Sequence, residues 1–219
     1  MLFRAQALLV DIDGTLVDST AAVIASWTTW AAAHRLDVRE ILRVCHGRRA
    51  QDTVAMFLPA ERVPSATRQL EELELAALDG VTALPGAGIL LRDLPSNRWA
   101  GVTSGSQALM RARLAAAGLP VPAVLIAAED VSRGKPDPEG YLAASAALGY
   151  DIVQCVVIED SPAGIAAGRA AGARTVAVAT SHDGAELRGA DIVVQDLTRC
   201  AVELRTDHVV LSARVMRLR

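Results

Sequence analysis

Residues 7–19 read ALLVDIDGTLVDS. The apolar start suits a strand buried on both faces, and it ends in two carboxylates, Asp11 and Asp13, two positions apart. Gly14 then lets the chain turn sharply. Such a pair can point one side chain into a site and leave the other beside it. Keeping both ionised there is unfavourable unless a cation intervenes or one takes up a proton. An Asp-rich turn with solvated charges would satisfy the same residues.

Moving outward, similar apolar runs recur as RWAGVTSGS (98–106), AVLIAAED (123–130), CVVIEDSPAG (155–164), ARTVAVAT (173–180) and ADIVVQD (190–196). Helical patterns lie between them. SQALMRARLAAAGL ends at Gly118, DPEGYLAASAALGY at Gly149, and SPAGIAAGRAAG carries Pro162 just inside its start. Strand alternating with helix predicts an α/β fold, a doubly wound parallel sheet wrapped by helices, with ligands at the C-terminal strand ends.

One region breaks the alternation. Between Asp18 and Ala83 the patterns are helical, as in STAAVIASWTTWAAAH (19–34) and PSATRQLEELELAAL (64–78). Trp27, Trp30 and Ala31 fall at core spacing for a helix. The expectation is an α/β core of residues 1–17 and 84–219, with residues 18–83 inserted as a helical cap and TALPGAG (82–88) as the return. DHVVLSARV (207–215) is expected to add a short edge strand.

Composition narrows the class. The formal net charge of −3 disfavours nucleic acid as a partner, and 3% aromatic residues are too few for a base-stacking platform. The arginine pairs Arg48–Arg49 and Arg111/Arg113 fit solvated helix faces or one small anion pocket. No apolar run reaches membrane-spanning length, and the N-terminal run is too short for a signal-peptide core, so a cytoplasmic protein is expected. Cys45, Cys155 and Cys200 are far apart with no C-x-x-C, which suggests neither a disulfide framework nor a structural zinc site. Cys155 opens an apolar run as a small core residue.

Each remaining strand end has two readings. VTSGS offers small hydroxyls and N–H groups for an anion, or simply Ser104 or Ser106 capping the next helix. Glu159 and Asp160 suit a hard cation such as Mg2+, or compensate a helix dipole. Lys135, in VSRGKPDPEG (131–140), is the only lysine in a chain with 22 Lys and Arg residues. Asp-x-Asp, Thr-Ser, Lys135 and Glu-Asp all fall on one face of the predicted sheet. Together they supply a nucleophile, a proton donor, phosphate-contacting groups and a metal site, among which a point positive charge has a purpose.

In this order the motifs DIDGTLVDS, VTSGS, GKPDP and IEDSPAGI resemble those of the haloacid dehalogenase-like hydrolase superfamily, over nearly the whole chain. HGRRAQDTVAMF (46–57), LPGA (84–87), TSGS and EDSPAGIAAGRAAG resemble its sugar and polyol phosphatases, such as glycerol-3-phosphate and 2-deoxyglucose-6-phosphate phosphatases. The resemblance implies that Asp11 attacks phosphorus to give an aspartyl-phosphate, and that Asp13 serves as acid and then base. It implies Mg2+ held by the Asp11 carboxylate, the Asp13 backbone carbonyl and Asp160, with Glu159 as ligand or orienting partner. Thr103, Ser104 and Lys135 would contact the phosphoryl group. His46, Arg48 and Arg49 would form the specificity loop of the cap, while His34 and His182 are surface or capping residues. The substrate implied is a small phosphorylated metabolite, with no membrane or nucleic-acid partner.

Close relatives of that resemblance remain as alternatives. A sugar phosphomutase would use the same core residues, yet its deeper cap arginine corresponds here to Ala50. A phosphoglycolate-type phosphatase is a further alternative. Asp13 argues against a dehalogenase, and motif order and length against a receiver-type signalling domain. A non-catalytic binding module would have no reason to keep Asp13 together with Asp11.

Overall fold

The computed structural model describes residues 1–216. β1 (Leu2–Ala5) and β2 (Ala7–Val10) open the chain, and the short β3 (Val17–Asp18) leads into four helices. These are α1 (Thr20–His34), α2 (Val38–Leu42), α3 (Ala50–Val54) and α4 (Val63–Ala76). The chain returns through β4 (Thr82–Ala83) and α5 (Ala87–Arg92). Strands and helices then alternate as β5 (Trp99–Val102), α6 (Gln107–Ala116), β6 (Leu125–Ile126), α7 (Glu139–Leu148), β7 (Cys155–Glu159) and α8 (Pro162–Ala171). β8 (Arg174–Val178), β9 (Ile192–Val194) and the hairpin of β10 (Cys200–Leu204) and β11 (Val209–Ala213) follow.

The main sheet has six parallel strands in the order β6-β5-β2-β7-β8-β9, the doubly wound α/β architecture expected. Every residue of β2, β5 and β7 is buried, because helices cover both faces. Alternate side chains divide between two cores. Leu8, Val10, Val156 and Ile158 pack with α5 and α6, whereas Ala7, Leu9, Cys155 and Val157 pack against Tyr141 and Ala144 of α7 and Ala167 of α8. Strand order reverses at β2, so the C-terminal ends of β2, β5 and β7 enclose the crevice of a topological switch point.

α1 to α4 gather around a separate cluster of Trp27, Trp30, Ala31, Ile41, Val54 and Leu70. The indoles of Trp27 and Trp30 meet edge to face at 5.3 Å, and Trp30 Nε1 donates to the Ala66 carbonyl at 2.8 Å, joining α1 to α4. His34 packs on Trp30 and bonds Gln69 at the surface. β3 and β4 pair with each other, Val17 with Ala83 and Asp18 with Thr82, so both crossings between sheet and helices share one ribbon.

β11 departs from expectation. It is no edge strand of the main sheet but the centre of a separate antiparallel sheet, β1-β11-β10. Its burial alternates, with Val209, Leu211 and Ala213 facing inward, the pattern of a sheet covered on one side only. All three cysteines are free and buried. Among the described residues, no helix is long and apolar enough to cross a membrane.

Candidate active site

Asp11, Thr103 and Asp160 each stand one residue beyond the end of β2, β5 and β7. The loop before α7 brings Lys135 among them, only 8% exposed. Its ammonium lies 2.5 Å from Asp11 Oδ1, 2.6 Å from Glu159 Oε1 and 3.2 Å from the Val102 carbonyl. Three donors thus meet three acceptors at a compact point, a geometry the planar guanidinium fork cannot reproduce. The lone lysine of this arginine-rich chain sits where arginine cannot substitute.

Glu159 is saturated. Oε1 accepts from Lys135 and from the Tyr141 hydroxyl at 2.9 Å, while Oε2 accepts from the backbone N–H groups of Asp160 and Ser161 and from the Ser161 hydroxyl. Gly164 makes this possible, since a Cβ there would overlap the Glu159 carboxylate. Burial pushes the Glu159 pKa up, but Lys135 and these donors outweigh it and hold the group below its ordinary value.

Asp160 accepts from Ser181 Oγ and, at 3.3 Å, from Thr15 Oγ1. Gly14, at φ 82°, passes so close that a Cβ would collide with the Asp160 carboxylate. Asp13 is half-buried; its Oδ1 accepts from Ser19 at 2.8 Å and its Oδ2 from Arg113 at 2.6 Å. Asp11, Glu159 and Asp160 offer oxygens within 4.8 Å of one another.

Burial, then the neighbouring carboxylate of Glu159, raises the Asp11 pKa to about 7 against the pull of Lys135. Asp160 is held well above its ordinary value by burial and by Asp11 and Glu159. Three buried carboxylates facing one ammonium carry excess negative charge, and a hard divalent cation with oxygen preference would offset it. The donor set therefore fits Mg2+.

The linkage has a definite sign. A carboxylate whose pKa is raised on folding contributes stability at low pH that is lost as pH climbs from about 4 towards 7. Saturating Mg2+ should raise Tm by about 5 °C or more near pH 7.5, and by less at pH 5. A thermal-shift titration against chelator at both pH values checks this, and a larger shift at pH 5 would contradict it.

Other expected residues separate into two groups. His46, Arg48 and Thr103 line a cavity of about 270 Å³ with Asp11, Asp13 and Glu74. Arg49 does not join them. It is buried, its guanidinium pairing with Asp52 at 2.8 and 3.0 Å and donating to the Val131 carbonyl at 3.0 Å. The pair expected to act together points two ways because Arg49 immediately precedes α3 and packs beside Gly134 of the core. Ser104 lines the cavity with Thr103, although its hydroxyl donates to the Gly47 carbonyl at 2.9 Å, while Ser106 caps α6 by accepting from the Leu109 N–H. His182 is half-buried, 6.2 Å from His46 ring to ring.

Arg113 overturns the reading of its pair as solvated or anion-binding. It is 2% exposed and joins Asp13 to Glu74 of α4, with Nη2 3.1 Å from Glu74 Oε1. Its position was recoverable from α6, where Leu109, Met110, Arg113 and Leu114 share the buried face. Tyr141 and Ser181 carried no comparable signal.

A buried carboxylate at the switch point, an ammonium against it and an acidic pair opposite suit a hydrolase that handles phosphate-like anions. The chain belongs to the haloacid dehalogenase-like hydrolase family, whose model matches residues 5–172. It is 41% identical to Hexitol phosphatase A of Escherichia coli (strain K12), over 91% of this chain and 94% of that protein. It is 37% identical to 2-deoxyglucose-6-phosphate phosphatase 1 of Saccharomyces cerevisiae, over 91% of each. Among solved structures, a hydrolase from Pseudomonas syringae superposes with TM-score 0.80 at 28% identity, covering 89% of this chain and 94% of that one.

Proposed function

We propose that this chain is a Mg2+-dependent phosphatase of small sugar or polyol phosphate monoesters, working through an aspartyl-phosphate. The observation that carries this reading is Asp11. One of its oxygens is held by Lys135, while Oδ2 accepts no hydrogen bond from any described residue and is free to meet phosphorus. Similarity to phosphatases of hexitol and 2-deoxyglucose 6-phosphates supports the substrate class.

Asp11 Oδ2 forms the new P–O bond as the P–O bond to the alcohol breaks, and Asp13 gives its proton to the departing oxygen. Asp13 then takes a proton from the water that cleaves the acyl phosphate, releasing inorganic phosphate and restoring both carboxyl groups. Lys135 and the Thr103 hydroxyl steady the phosphoryl oxygens. Asp11, Asp160 and the Asp13 carbonyl would hold Mg2+, whose charge lets a dianionic ester approach a carboxylate. Glu159 would orient Lys135, its two oxygens already accepting from Lys135, Tyr141 and the Asp160–Ser161 turn. Residues 18–83 would act as a cap over a core of residues 1–17 and 84–219. His46 and Arg48 contact the substrate from the cap, and Arg49 anchors the loop that carries them. Three free cysteines suit a cytoplasmic setting.

Among the described residues none supplies the deeper cap arginine of a mutase, because Ala50 offers only a methyl group to the cavity and Arg49 faces the Val131 carbonyl. Phosphate release should be followed over a panel of sugar, polyol and glycolate phosphates. Turnover should require Mg2+ and fall about a thousandfold or more in Asp11→Asn. Undiminished turnover in that variant would remove Asp11 as nucleophile, and isomerisation without release would replace the phosphatase with a mutase.

A further inference from the structure

Glu74 reaches into the cavity from α4 and is held there from behind. Arg113 grips its Oε1, and Arg113 is itself fixed by Asp13 Oδ2, so the carboxylate stands on a two-step support that ends at the reacting centre. Arg113 donates through Nη1 to Asp13 and through Nη2 to Glu74, and among the described residues its buried Nε has no partner. Glu74 Oε2 accepts no hydrogen bond from any described residue. Glu74 shares its one guanidinium with Asp13, and no other cationic side chain among the described residues pairs with it. Arg48, the other basic residue lining the cavity, is exposed.

A fixed, mostly buried acceptor beside the expected position of the departing oxygen suits a hydroxyl. A substrate carboxylate there would meet like charge in a partly desolvated place, which costs far more than a missing hydrogen bond. We propose that Glu74 is a specificity-determining residue: its Oε2 accepts from a hydroxyl of an uncharged polyhydroxy chain, and its charge excludes esters bearing a carboxylate near the phosphate. The proposal rests on the phosphatase reading above and deepens it.

Three esters separate the possibilities: sorbitol 6-phosphate with an uncharged polyhydroxy chain, 2-phosphoglycolate with a carboxylate, and phenyl phosphate with neither. In wild-type enzyme kcat/KM for the sorbitol ester should exceed that for phosphoglycolate by about a hundredfold or more. In Glu74→Gln that ratio should collapse by about a hundredfold. The sorbitol ester should lose mainly through KM, and phosphoglycolate should gain relative to phenyl phosphate. Glu74→Asp keeps the charge but withdraws the oxygen, so KM for the sorbitol ester should rise while phosphoglycolate stays excluded. If all three esters fall together in both variants, Glu74 acts only as a brace for Arg113 and the proposal fails. If the wild-type enzyme accepts phosphoglycolate as readily as the polyol ester, the proposal fails while the phosphatase reading stands. Release of phosphate from none of the three overturns both.

Discussion

Replacing Lys135 by methionine should destabilise the metal-free protein by about 3–5 kcal/mol and remove phosphatase turnover, although chain volume is nearly preserved. The reason lies in what remains. Asp11 and Glu159 would keep their burial and lose the ammonium 2.5 and 2.6 Å away that makes their charges tolerable. Removing one partner of a buried ion pair leaves an uncompensated charge, which is far worse than removing both. The loss should grow as pH rises, because carboxylates pushed further up on folding favour the folded state only while protonated. Denaturant melts in chelator at pH 5 and pH 8 measure both statements. Adding Glu159→Gln should restore part of the stability and none of the turnover, since Asp11 would still face the phosphoryl group without its cation. Wild-type stability in Lys135→Met would mean that the ammonium compensates nothing.

Arg113→Met should cost about 3 kcal/mol, the lower end for a buried pair because Asp13 keeps 28% side-chain exposure. Asp13 and Glu74 would then repel across the gap that the guanidinium fills. Burial already raises the Glu74 pKa against the pull of Arg113, and losing Arg113 would raise it further. A cycle with Glu74→Gln should show coupling of about 1–3 kcal/mol in denaturant melts, because the two residues share one network. Additive losses would show that the ion pair between α4 and α6 contributes no energy of its own.

Much of the core site was readable before folding was known. Asp11, Thr103 and Glu159–Asp160 each close a run of residues that are all buried in the sheet, and parallel strands deliver such ends to a common edge. Lys135 stood out by being unique, and its three acceptors supply the reason. The helical character of α1 and α4 was equally plain, since Trp27, Trp30 and Ala31 keep a helix period regardless of what they pack against.

Other features are pairings, and a pairing needs the opposite surface. Nothing local distinguishes Arg48, which lines the cavity, from Arg49, which is turned to Asp52 and the Val131 carbonyl. Ser104 and Ser106 are equal candidates for capping until Gly47 takes the hydroxyl of one of them. β3 and β4 are two residues each, too short for any period, and exist because they meet. β11 finds its place between β1 and β10, partners at opposite ends of the chain. Periodicity along a chain determined the elements of this protein, the buried face of each and the order in which its chemistry reaches the sheet edge. Which oxygen faces which donor, and so the support that runs from Asp13 through Arg113 to Glu74, was decided only when distant segments packed together. Burial makes an unpaired charge intolerable, and the partner that relieves it is chosen by proximity in space and not by position along the chain.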